Sequence, residues 1–202
     1  AEYAGARRLA FVPRAMRIRA LTSDDLPRHG PGQSADNGNF VLTEVAVALL
    51  VSGGEGPERV AAARVEVKPL SASFEQSGYT LADTVDGQEA SGWAIAPERG
   101  VPHEAVFELA VPATFDAAAD VLEVTLQQNY GGSHTLGRLV VEFTDQVPAP
   151  RALHCVARRA LDEGPSEWDV ADRAALRAHL LGSDPTASAL RERRAALGRE
   201  RD

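Results

Sequence analysis

Two Gly-rich stretches hold the residues best equipped for chemistry. In the first, Asp36, Asn37 and Asn39 precede Glu44 by a few positions. Side-chain oxygens gathered at a Gly-permitted turn are the hard donors that Ca²⁺ accepts, about six to eight of them around the ion. The spacing departs from the EF-hand loop, and Asn37-Gly38 is first of all a turn signal, so the competing account assigns these side chains to hydrogen bonds with the loop backbone. The second stretch, Asn129-Tyr130-Gly131-Gly132-Ser133-His134, sets an aromatic ring among glycines and polar donors. Such a ring can stack on a sugar face while Asn129, Ser133 or His134 bonds hydroxyls. Alternatively it is a hairpin loop whose Tyr130 packs down and whose His134 is structural.

Elsewhere the reactive residue types lack the company that chemistry needs. Asp24 and Asp25 are adjacent, so they point apart and resemble a solvated loop more than a glycosidase pair. Serines and histidines occur without a Gly-x-Ser-x-Gly elbow, and no Walker-type phosphate loop is present. His103 and Glu104 follow Pro102 at a strand entrance with no metal-ligand spacing. Trp93 is expected in the core, because burying an indole contributes so much area, and Asp86 is expected to fix an Asp-Gly turn. Cys155 falls on the apolar face of an expected helix, where an inert thiol is the default. The arginines at 191, 193, 194, 199 and 201 alternate with Glu192 and Glu200, as on a solvated helix face.

The elements that must position these residues are mostly strands. A chain of 202 residues can bury one sandwich-sized core and carry a smaller appendage. A formal net charge of -8 argues against nucleic acid as the main partner, since phosphate binding depends on clustered Lys and Arg. No apolar run approaches the ~20 residues needed to span a bilayer. The first residues lack a signal-peptide pattern, and a start without Met suggests a processed or excised chain. The single cysteine excludes an internal disulfide framework and a Cys-x-x-Cys-His haem site within these residues.

Period-two alternation predicts strands over Met16–Leu21, Glu104–Leu109, Val121–Gln127 and Gly137–Thr144. Phe40–Val51 is apolar on nearly both faces and reads as one central strand, entered from the long loop after Leu26. Arg59–Phe74 supplies one or two strands, with Pro69 interrupting the ladder. Glu75–Pro102 reads as loop. Short strands with turn chemistry between them predict a mainly β fold, an antiparallel β-sandwich or jelly roll, over residues 1–147. After the prolines at 148 and 150 the composition turns Ala-, Leu- and Arg-rich, predicting an α-helical connector or extension over 148–202.

Several motifs in order carry a family resemblance. Leu26-Pro27, Gly30-Pro31-Gly32, the run from Asn37 to Glu44, Ala72-Ser73-Phe74-Glu75-Gln76, Asp86-Gly87, Gly92-Trp93-Ala94 and the run from Leu126 to Arg138 resemble the β-sandwich insert of large exported planctomycete proteins. Such proteins carry a planctomycete-type cytochrome c domain and two long domains of unknown function. The likeness runs from Met16 to Thr144, and the helical tail resembles the connector into the last such domain. It implies an exported setting, periplasmic or at the cell surface, with neighbouring domains of a larger parent chain as partners. More loosely, the Asp-Gly turn followed by Trp93 is similar to galactose-binding-like sandwiches, which often hold a structural Ca²⁺ in a loop and which suggest a polysaccharide partner by analogy. The expectation is therefore a non-catalytic accessory module that binds carbohydrate at its loop edge. The alternative is a structural or protein-docking module, without a ligand, that positions neighbouring domains.

Overall fold

A computed structural model describes residues 9–52, 59–155, 157–158, 169–170, 173–174 and 176–177. Eight strands are formed among these residues: β1 (Ala15–Leu21), β2 (Val41–Leu42), β3 (Glu44–Ser52), β4 (Arg59–Ala72), β5 (Trp93–Ala94), β6 (His103–Ala110), β7 (Val121–Gln127) and β8 (Arg138–Thr144). Six of them make a curled antiparallel sheet in the order β7-β3-β4-β6-β1-β8, and β2 pairs with β5 in a separate ladder. The fold is thus mainly β and antiparallel, consistent with a β-sandwich.

The curl is built into one strand. β4 spends Arg59–Val65 on β3 and Glu66–Ala72 on β6, so its two halves belong to different ladders. Strands that change partners through bends or bulges are how sandwiches turn their corners. Two register shifts supply the bends, one opposite Leu49/Leu50 and one between Pro69 and Ser71. Proline has no N–H to donate, so the ladder tolerates Pro69 only at such an irregularity. The expected interruption is therefore a bulge inside one 14-residue strand.

The core follows from alternation. Met16, Ile18 and Ala20 of β1, Val45, Val47 and Leu49 of β3, and Ala105, Phe107 and Leu109 of β6 all face one buried cluster. Phe40, Leu42, Trp93 and Ile95 from the β2–β5 region close it. Trp93 is fully buried, meets Phe40 edge to face at 5.0 Å between ring centroids, and donates its indole N–H to the Phe74 carbonyl at 2.9 Å. That bond satisfies the one polar atom an indole brings inside.

Phe40–Val51 differs from the single two-faced strand expected. It breaks at Thr43, where the chain passes from the ladder with β5 to the ladder with β4 and β7. Within β3 Val45, Val47 and Leu49 are buried, while Ala46, Ala48 and Leu50 are half-buried. Small alanines made the outward face look like core.

The chain divides into two compact units, 1–152 and 153–202. Residues just past the expected boundary at 147 still belong to the sandwich: the Ala152 N–H donates to Ser71 Oγ at 2.8 Å, and Arg151 reaches the Leu70 carbonyl at 3.1 Å. Ala152 is buried with Ala15 and Val106 on the sheet's outer side. In the second unit Cys155, Ala157, Arg158, Val170, Arg173, Ala174, Leu176 and Arg177 are helical, whereas 148–154 and Asp169 of the expected extension are not, and its remaining residues lie outside the described ones. Among the described residues no helix is long and apolar enough to cross a membrane.

Candidate functional site

The loop after β7 is shaped by its glycines. Gly131, Gly132 and Ser133 all have positive φ, a conformation that glycine adopts without a side-chain clash. The resulting tight turn is closed by the His134 N–H on the Gly131 carbonyl at 3.1 Å. Both ends are tied to the β2–β3 junction: Asn129 N–H donates to Thr43 Oγ1 at 3.2 Å, and Val41 N–H to the His134 carbonyl at 2.9 Å. Tyr130 is thereby held at the loop edge with 41% of its surface exposed.

A second loop brings Tyr79 to it. The turn from Gln76 to Tyr79 uses Gly78 at φ +81 and is closed by Tyr79 N–H on the Gln76 carbonyl at 2.9 Å. Gln76 is itself fixed, its Oε1 accepting from Asn39 Nδ2 and from Ala96 N–H, each at 3.1 Å. Behind Tyr79 a capping box between Thr80 and Asp83 starts the short helical turn Leu81–Val85. The outcome is a three-ring cluster: Tyr79 and Tyr130 meet edge to face at 5.7 Å, and Tyr130 and His134 at 5.3 Å.

Hydrogen bonds set the polarity of this cluster. The Tyr79 and Tyr130 hydroxyl oxygens are 2.8 Å apart. The Tyr79 phenol is pushed above its usual range, first by the bond with Tyr130 and then by burial; either hydroxyl can be the donor in that bond. One of the two hydroxyl hydrogens is used in the bond, and the other is left for another acceptor. His134 Nδ1 lies 3.1 Å from the Gly131 carbonyl, which can only accept, so the neutral ring carries its hydrogen there and presents Nε2 as an acceptor. Asn129 directs its NH₂ toward Glu89 and Gln127 at 3.3 and 3.4 Å, which leaves Oδ1 as an acceptor. Ser133 is exposed, and its hydroxyl makes no hydrogen bond among the described residues. Tyr130, His134 and Asn129 thus share one open edge, joined by Tyr79 and Glu89, which the sequence had not singled out.

The oxygen-rich stretch is distributed differently. Asp36 is exposed, and Asn37 Oδ1 accepts from the Asn39 N–H at 2.9 Å, an Asx turn. Asn39 is buried and points inward, with Nδ2 on Gln76 and Oδ1 accepting from Ile95 N–H at 3.2 Å. Glu44 belongs to another neighbourhood, accepting from Gly87 N–H at 3.1 Å with Arg64 3.9 Å away. The four side chains serve two separate regions instead of one donor shell. Among the described residues no group of three or more His, Cys, Asp or Glu is placed to hold a metal ion.

One buried polar group of interest escaped the sequence. Ser73 and His103 are 3.0 Å apart through Oγ and Nδ1, and both are buried. The Glu98 carbonyl accepts from Nε2, so Nδ1 accepts the Ser73 hydrogen, and Ser73 Oγ in turn accepts from Glu104 N–H at 3.0 Å. A serine enclosed in such a relay braces β4 against β6; it has no access to a substrate.

Comparison with known proteins found no matching family model, no matching curated protein and no matching solved structure.

Proposed function

We propose that the sandwich is a non-catalytic accessory module of an exported multidomain protein and binds carbohydrate on the Tyr130 edge. The observation that carries this reading is the half-exposed Tyr130 ring, braced by Tyr79 and His134 and bordered by one free donor and two acceptors. A ring already held in place loses little conformational freedom on binding, which favours association. Sugars offer apolar C–H faces together with hydroxyls that both donate and accept, and that pairing suits this edge. The resemblance of the ordered motifs to an insert of exported planctomycete proteins supports the same setting, at the cell surface or in the periplasm. Calcium has no part in the reading, because Asn39 and Glu44 already serve backbone N–H groups.

A glycan array and calorimetry on the full chain, with and without Ca²⁺, test it. We expect retention of at least one polysaccharide, weakened about tenfold or more by Tyr130→Ala and indifferent to Ca²⁺. Failure to bind any polysaccharide under either condition overturns it.

The second reading is a docking module without a ligand. It draws on the bonds from Ser71 and Leu70 that hold Ala152 and Arg151 on β4. It expects Tyr130→Ala to be silent and deletion of residues 151–202 to disrupt assembly of the parent protein.

A further inference from the structure

Both edges of the six-stranded sheet end in strands with only one partner among the described residues, β7 on one side and β8 on the other. An unpaired edge is a row of free backbone donors and acceptors that can template another strand. The two edges differ in what they would offer a copy of themselves. If two β8 strands meet antiparallel with Val140 at the two-fold axis, Arg138 of each stands opposite Glu142 of the other, and Leu139 opposite Val141. The same operation on β7, centred on Val124, sets Glu123 against Thr125 and Val121 against Gln127, with no charge match.

The outer face of β8 is already charge-ordered. Arg17 on β1 lies between two acids, 2.9 Å from Glu142 and 3.5 Å from Glu104. Glu142 is therefore the last member of an alternating row, acid, base, acid, that runs across β6, β1 and β8 and stops at the open edge. The next member in alternation is a cation. Arg138 is exposed and makes no ion pair among the described residues. Val140 is 38% exposed on the same face, and Leu139 and Val141 are only partly buried on the other. Opposite charges facing across a strand pair stabilise it, whereas like charges oppose it.

We propose that β8 is a self-pairing edge: two copies of this chain join antiparallel about Val140, each Arg138 meeting Glu142 of the second copy. The pairing extends each sheet into one continuous ladder, seals the half-open apolar margin at Leu139 and Val141, and completes the charge row in both directions. Such an isologous contact closes on itself, so it gives dimers and not fibres.

Sedimentation equilibrium of the full chain over a wide concentration range tests this. A dimer is expected, and Arg138→Glu and Glu142→Arg should each raise its dissociation constant about tenfold or more, by setting like charges opposite one another. An equimolar mixture of the two variants should recover tight pairing, because each charge in one copy again faces its opposite in the other. Circular dichroism on both variants checks that the sheet is intact. A monomer at every concentration, a dimer indifferent to Arg138→Glu, or a mixture no tighter than its components overturns the proposal.

Discussion

Tyr79 and Tyr130 share a hydrogen bond between their hydroxyls across 2.8 Å, and the two side chains come from loops 51 positions apart in sequence. The bond favours the neutral phenol of Tyr79 and so raises its pKa. A folded-state pKa above that of the unfolded chain means that the bond contributes fully below the ordinary phenol range and is lost as pH rises through the raised value. Near-ultraviolet titration should show a tyrosine ionising later than a free phenol, and Tyr130→Phe should bring it back. A titration curve unchanged in Tyr130→Phe would show that the bond does not hold the Tyr79 phenol neutral.

Gly92 and Gly87 flank the same loop and should respond differently to alanine. A Cβ on Gly92, at φ +150, would lie 2.3 Å from the Leu42 carbonyl oxygen, which is backbone and cannot swing aside. We expect Gly92→Ala to cost about 3 kcal/mol. Gly87 has φ +75 but open space around it, so Gly87→Ala should cost only the left-handed conformation, about 1 kcal/mol. Urea denaturation midpoints measure both, and equal losses would count against the close packing of Gly92 on β2.

Ser34 Oγ is buried without a hydrogen-bond partner, the one such side-chain atom among the described residues. Removing an unsatisfied hydroxyl relieves a desolvation penalty and costs little packing. Ser34→Ala is therefore expected to stabilise the fold by about 1 kcal/mol, read as a raised melting temperature. A lower melting temperature would mean that the hydroxyl is bonded after all.

Alternation made β1, β6, β7 and β8 legible to within a residue or so at each end, because alternate residues of each turn toward the main core cluster. The break at Thr43 was not legible, since alternation reports burial and is silent on which ladder a residue joins. Pro69 signalled an irregularity correctly, but a bulge and a chain break look alike in sequence. For the candidate site, Tyr130, Asn129 and His134 announced themselves as an aromatic among glycines and donors. Tyr79 did not, because its role depends on a partner from a distant loop; its only local signal was the Gly78 that precedes it. Asn39 and Glu44 looked like neighbours for the opposite reason. Closeness in sequence suggested one donor shell, and the passage from β2 into β3 sends their side chains to different loops.

The partner change within β4 bears on how the molecule comes apart. Arg59–Val65 and Glu66–Ala72 are one covalent strand, so losing that strand as a unit strips pairing from both β3 and β6 at once. Neither wall has an independent route to the unfolded state. Amide protons in β3 and β6 should then share a single opening energy, and the sandwich should melt as one foldon, with no half that survives the other.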